Sequence, residues 1–205
     1  MRIDLHVHTK YSKCSLMKPE KIVKIAIKKG LDGFAITDHN TMKGILKIKV
    51  DEITIIPGEE IKTELGEVIG LFLQEEIKPR SFEEVLEKIR EQDGLAVIPH
   101  PFDRFRRFKD KEKFKAVDAI EAFNSRVTFF SDNLKAKEFA WKNRVPMTAG
   151  SDAHFYWEIG KAYIEVEDLE NLKKEILERK IKIFCKKSNI LNHALTKVVK
   201  AWKRI

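Results

Sequence analysis

Residues 2–8 read Arg-Ile-Asp-Leu-His-Val-His, RIDLHVH. Apolar and polar residues alternate without a break, the pattern of a half-buried β-strand. Residues two apart on a strand point the same way, so His6 and His8 share a face at its C-terminal end. The same punctuation recurs along the chain. The run FAIT is followed by Asp38-His39, LAVI by Pro99-His100, and the run ending at Ala149 by Gly150-Ser151-Asp152-Ala153-His154. ITIIP, Ile53–Pro57, is followed by Gly58-Glu59-Glu60. Five of the six histidines therefore stand at or just past a predicted strand, beside carboxylates placed in the same way.

Between these strands the apolar period lengthens to that of helices. A helix is expected from near Lys18, with Pro19 in its first turn, apolar Ile22, Val23, Ala26 and Ile27, and a stop at Gly30. A short helical stretch is expected over Thr41–Val50. EIKTELGEVIGLFL then reads as a hairpin turning at Leu65-Gly66. Ser81 with Glu84 forms a capping box opening a helix over Phe82–Gln92, and Gly94 precedes the strand Leu95–Ile98. Further strands are expected at Ala119–Phe123, Val145–Ala149, Ala162–Val166 and Lys182–Phe184. Helices are expected at Phe129–Asn143, Leu169–Arg179 and Ile190–Lys203.

Strands alternating with helices make an α/β chain, and no Gly-rich phosphate turn marks an open doubly wound sheet. About seven βα units in this length imply a small closed barrel. Right-handed crossovers then bring every strand's C-terminal end to one face, where the histidines and carboxylates meet as a metal cluster.

The 205 residues fit one domain, 1–205, with no low-complexity stretch inside it. No apolar run approaches the ~20 residues that span a bilayer, and MRIDLHVH reads as a charged strand rather than a signal peptide. Two cysteines are too few for a disulfide framework and suit a reducing compartment, so a cytoplasmic protein is expected. Charged residues make up 35% of the chain, mostly Lys and Glu, the bias of hyperthermophile proteins. The net charge of +8 favours anionic partners, although lysines spread over solvated helix faces account for much of it.

The motifs DLHVHT, ITDHN, IPGEE, IPHP and GSDAH, in this order, resemble the polymerase-and-histidinol-phosphatase (PHP) family of metal-dependent phosphoesterases, over nearly the whole chain. The resemblance implies a distorted (β/α)7 TIM-like barrel. It makes His6, His8, Glu60 and Asp152 ligands of one metal, with Glu60 bridging to a second that His100 also holds; His39 and His154 bind a third. About two to three divalent ions are implied, and imidazole with carboxylate suits Zn, Mn or Fe. Asp38 is expected to orient a ligand from behind. The implied activity is hydrolysis of a phosphomonoester or phosphodiester by a metal-bound hydroxide, with His39, Glu60 and His154 as catalytic residues.

Two positions depart from the family. Many relatives carry a histidine in the hairpin after the bridging glutamate, which GEVIGL lacks; Glu67, Glu59, water or a substrate oxygen is left to complete the second site. The third-site ligand that follows the first motif is commonly Asp or His, and here the loop reads YSKCS. Cys14 is either a thiolate ligand, which favours zinc or iron, or an idle thiol. Cys185 reads as a core or surface residue.

Arg104, Arg106 and Arg107 follow His100, and Arg126 follows AIEAFN. Guanidinium forks match phosphate, so Arg104 or Arg126 is the expected anchor, against the plainer reading of solvated loop residues. Glu121 and Asn124 reach either substrate or structure, and His193 reads as a packing residue. Phe102, Phe105 and Phe108 are core or base-stacking residues.

The expected substrate is a phosphorylated small molecule or nucleotide. The alternative is a 3'-5' or 5'-3' exonuclease on short nucleic acid, supported by the Arg/Phe-rich loop and the basic final helix. A non-catalytic PHP scaffold would have lost the ligand positions that are intact here. An amidohydrolase would share H-x-H and a late Asp but lack the DHN and SDAH clusters.

Overall fold

The computed structural model describes residues 1–48, 50–106 and 108–203; Arg107 lies outside them. Among the described residues nine strands form one sheet: β1 (Arg2–Val7), β2 (Gly33–His39), β3 (Thr54–Lys62), β4 (Glu67–Leu71), β5 (Leu95–Ile98), β6 (Ala119–Asn124), β7 (Met147–Gly150), β8 (Ala162–Glu165) and β9 (Lys182–Cys185). The helices are α1 (Pro19–Lys28), α2 (Phe82–Glu91), α3 (Phe130–Asn143), α4 (Leu172–Leu177) and α5 (Leu191–Trp202).

The sheet order is β7-β6-β5-β4-β3-β2-β1-β8-β9. The sheet curls until the segment after β7 returns to β1. There His8 N donates to Ala153 O at 3.0 Å and Ala153 N donates to His6 O at 3.3 Å, so the barrel is nearly closed. β1, β2, β3, β5, β6 and β7 run in one direction, and their C-terminal ends share one rim. β4 runs against them, so the rim receives its first residue, Glu67, paired with Lys62.

Apolar residues from β1 to β7, among them Ile3, Ala35, Ile56, Ile69, Val97, Ala119 and Ala149, form one buried cluster, with Ile164 and the α4 residues Leu172 and Ile176 packed into it. The outer faces of the strands pack against α2 through Phe82, Val85 and Ile89, and against α1 through Ile22, Val23 and Ala26. The register of β1 against β2 slips between Asp4 and Val7, as at a β-bulge. Beyond the slip Val7 packs with the α1 cluster, and His6 and His8 are turned toward the carboxylates of the rim.

The barrel is less regular than seven βα units. The expected helix over Thr41–Val50 is a single 3-10 turn, Ile45–Lys47, and another such turn, Lys111–Lys115, links β5 to β6. The strand expected at Ala162–Val166 runs antiparallel to β1, and β9 antiparallel to β8, so these two strands flank the barrel rather than extend its parallel run. The helix expected over Leu169–Arg179 is shorter, Leu172–Leu177. The hairpin forms as expected, and so does the capping box: Glu84 N donates to Ser81 Oγ at 3.4 Å and Ser81 N to Glu84 Oε2 at 3.1 Å.

Candidate metal centre

Glu60 stands at the middle of the rim. Its Oε2 lies 3.6 Å from His6 Nε2, 3.4 Å from His8 Nε2 and 2.9 Å from His39 Nδ1, while its Oε1 lies 3.3 Å from His100 Nε2. Asp152, past the end of β7, brings Oδ1 to 3.7 Å from His6 Nε2, 3.3 Å from His8 Nε2 and 3.4 Å from His154 Nδ1. Glu67 faces His39 Nδ1 at 3.5 Å and His100 Nε2 at 3.6 Å. Cys14 Sγ lies 3.0 Å from His154 Nε2. The sequence-derived residues thus converge, and the hairpin supplies Glu67. Glu59 turns to the other face of β3, where its Oε2 accepts from Ile77 N at 2.8 Å.

Among the described residues three overlapping triads each bring their donor atoms within 4.8 Å of one another: His6, His8 and Glu60; His8, His39 and His154; and His39, Glu60 and Glu67. His6 Nε2 and His8 Nε2 approach to 3.1 Å with the two carboxylates alongside. Two ring nitrogens and several carboxylate oxygens aimed at one volume, all buried, make an electron-rich cage that a divalent cation fits.

The surroundings fix these groups. Glu121 Oε1 takes His6 Nδ1 at 3.0 Å and its Oε2 accepts from His100 N at 2.8 Å, so one carboxylate orients two donors from behind. Asn124 Nδ2 donates to Glu121 Oε2 at 2.8 Å and to Asp152 Oδ2 at 3.3 Å. Asp38 accepts from Thr9 N at 2.7 Å and Ser12 Oγ at 2.6 Å, and Ser12 Oγ in turn meets His8 Nδ1 at 3.2 Å and accepts from His39 N at 3.0 Å. The end of β7 comes so close that a Cβ on Gly150 would sit 2.3 Å from His6 Cβ, which requires glycine there.

Charge is distributed unevenly. Burial alone would push Glu60 up, but the His39 and His6 rings hold it well below the usual carboxylate range. Burial opposes ionisation of Asp152 as well, yet Arg106, then His6, keep it well below. Glu67 is raised by burial and by Glu60 beside it. Burial, with His8 and Arg126 nearby, pulls His154 well below its ordinary value. Burial also lowers His8. His6 and His39 would be lowered by burial too, but Glu121 and Glu60 respectively lead the carboxylates that raise them well above.

A cleft of about 970 Å³ opens from the centre, lined by Cys14, His39, Glu67, Arg106 and Phe105 and by Lys13, Lys43, Lys62, Lys109 and Lys200. Arg106 gives Nη1 to Asp152 Oδ2 at 2.5 Å and Nε to Asp103 Oδ2 at 3.0 Å. The two arginines expected to anchor phosphate stand elsewhere. Arg126 is buried in an ion pair, its Nη1 at 2.9 and 2.7 Å from the Glu158 oxygens and its Nη2 donating to Thr196 Oγ1 at 2.7 Å. Arg104 lies over the Phe129 ring and bonds Asp132 Oδ1 at 3.2 Å. Phe108 and Phe102 are core, whereas Phe105 is 73% exposed. His193 donates to Arg126 O at 2.7 Å, a packing contact.

A PHP-associated family model matches residues 130–181. The chain is 44% identical over 191 residues to the uncharacterized protein MJ0417 of Methanocaldococcus jannaschii, covering 88% of this chain and 76% of that one. Its fold is similar to that of a two-domain protein from Bacteroides vulgatus containing a predicted PHP-like metal-dependent phosphoesterase. The TM-score is 0.71 at 16% identity, over 90% of this chain and 64% of that one, so the chain spans less than two thirds of it. It is also similar, with TM-score 0.65 at 20% identity over 85% of this chain and 56% of that one, to endonuclease Q in complex with a 27-mer duplex substrate carrying an abasic lesion.

Proposed function

The chain belongs to the PHP domain family, and from that premise we propose that it is a metal-dependent hydrolase of a phosphate ester, acting on a phosphorylated small molecule or nucleotide. The observation that carries this reading is the set of three overlapping donor triads at the wall of a lysine-lined cleft. In this reading His6, His8, Glu60 and Asp152 would hold one cation. Glu60, His100 and Glu67 would hold a second, and His39, His154 and Cys14 a third. When bound, Zn, Mn or Fe supplies Lewis acidity toward phosphoryl oxygens and toward water.

The protein's own groups do the rest. Glu121 and Asp152 fix the orientation of His6 and His8, and Arg106, which lines the cleft, gives Nη1 to Asp152 and Nε to Asp103 and leaves its buried Nη2 without a partner among the described residues, the donor left for a phosphate oxygen. Arg106 thus takes the anchoring role expected of Arg104 or Arg126. His39 lines the cleft with its proton-holding Nδ1 on Glu60, and it delivers a proton to the leaving oxygen when no cation claims its ring.

A second reading, stepwise cleavage of a short nucleic acid, draws support from the five cleft lysines and from exposed Phe105, whose ring offers a stacking surface. The test is metal analysis after reconstitution with Zn, Mn or Fe, followed by hydrolysis assays over sugar phosphates, nucleoside bisphosphates and short oligonucleotides. Glu60→Ala and Asp152→Ala should abolish turnover in a folded protein. Less than one bound ion per chain, or full activity in both variants, overturns the assignment.

A further inference from the structure

The last helix ends on the loop that carries Cys14. Lys203, at the C-terminal end of α5, extends its ammonium to three carbonyl oxygens of that loop: Lys10 at 2.5 Å, Ser12 at 2.7 Å and Ser15 at 3.0 Å. An ammonium has three N–H donors, and here each has one acceptor. A planar guanidinium cannot reproduce that tripod. The loop faces the metal centre with its other groups. Ser12 Oγ meets His8 Nδ1 and His39 N, Ser15 Oγ donates to His154 O at 3.0 Å, and Cys14 Sγ meets His154 Nε2.

The remaining ties of α5 converge on the same region. Thr196 and Asn192 accept from Arg126, and Asn192 Nδ2 donates to Glu158 Oε1 at 2.7 Å. Glu158 Oε2 accepts from His154 N at 3.0 Å and Phe155 N at 3.2 Å. One helix therefore grips both segments that bring Cys14 and His154 together, although α5 supplies no donor to the cluster itself.

We propose that Lys203 is a positioning residue: by fixing the loop Lys10–Ser15 from outside, it sets the affinity of the Cys14, His39 and His154 cluster for its ion. The inference rests on the third-ion reading above. Freed of the ammonium, three carbonyls turn toward water and the loop gains alternatives to the conformation that aims Cys14 at His154. The ion held by His6, His8, Glu60 and Asp152 meets this loop through Ser12 Oγ on His8 Nδ1 and Ser15 Oγ on His8 O, and should weaken less than the ion that Cys14 itself ligates.

The test uses the full chain and Lys203→Ala, with Lys203→Met as the variant that keeps most of the stem packing. Zinc titration followed by absorption spectroscopy reads the sulfur-bound ion. Hydrogen exchange at the amides of Lys10, Ser12 and Ser15 reads the loop without metal. Both variants should bind the sulfur-ligated ion about 10-fold or more weakly, the loss typical of removing a group that orients a ligand. Loop exchange should quicken while the β-strands stay protected. Added ammonium ion, which can occupy the same three carbonyls, should restore part of the affinity in Lys203→Ala and do nothing in the unaltered chain. A sulfur-bound ion held equally well by the unaltered chain and both variants, or unchanged loop exchange, overturns the role of Lys203 and leaves the cluster reading standing. Absence of any sulfur-bound ion in the unaltered chain overturns the cluster reading, and the role of Lys203 falls with it.

Discussion

Glu59 and Glu60 are adjacent carboxylic acids that the pleat of β3 sends to opposite faces, and their chemistry diverges accordingly. Glu60 enters the imidazole cage and is held ionised, whereas burial pushes Glu59 up to about 8 despite the amide of Ile77. A carboxyl raised on folding adds stability that is fully present below its ordinary value and fades as pH rises through the folded value. The metal-free protein should therefore lose part of its stability between pH 4.5 and about 8 through Glu59. Glu59→Gln should flatten that decline in thermal melts run with chelator, and an identical slope in the variant would remove Glu59 as its source. Cys14 poses a second question at this scale. If its thiolate is a ligand, zinc-loaded protein should show a metal–sulfur distance of ~2.3 Å that disappears in Cys14→Ser, while the ion on His6 and His8 stays bound. A spectrum without sulfur would leave Cys14 as a packing residue beside His154.

At the scale of elements, the strands were readable because each announces itself by alternation or a short apolar run, and the runs of β1, β2, β3, β5 and β7 then stop at or just before a His or carboxylate. The α2 cap and the β3–β4 hairpin were readable for equally local reasons. Strand direction was not, since RIDLHVH and AYIE carry no mark saying which neighbour they will face; β8 turns out antiparallel because its partner is the start of β1. The links beyond β2, β5 and β7 carry no regular helix among the described residues. Nor did the sequence show which arginine of PFDRFRRF reaches the cleft, because that depends on Asp103 and Asp152 meeting Arg106 from two separate segments. The hairpin departure, by contrast, has a geometric answer. An antiparallel strand presents its first residue where its neighbours present their last, so Glu67 arrives at the rim opposite Lys62. Glu67→Ala should weaken the ion shared by Glu60 and His100 by more than ~100-fold, beyond the loss usual for an outer partner, in metal titrations that leave the His6–His8 ion unchanged. Equal affinity for both ions would assign the completing ligand to water or substrate.

For the whole molecule, closing the sheet on itself gathers donors from β1 to β7 at one rim, and it also decides where the positive charge acts. The chain carries a net +8, and five lysines from separate segments line the cleft beside Arg106. A single phosphate group would engage the cations, the arginine and at most a lysine or two. A strand of nucleic acid would engage several of them and release counterions in proportion, its affinity falling by about 0.7 log units per phosphate contacted for each tenfold rise in salt. Turnover of an oligonucleotide under subsaturating conditions should therefore drop steeply as salt increases if the cleft tracks a strand, while that of a nucleoside monophosphate drops only slightly. Lys62→Ala combined with Lys109→Ala should reduce the oligonucleotide slope by about 1.4 and leave the monophosphate slope nearly unchanged, provided each lysine contacts one phosphate. Parallel salt dependence for both substrates would mean that the cleft recognises one phosphate at a time, which leaves the small-molecule phosphoesterase as the reading and makes the outer lysines a solvated rim.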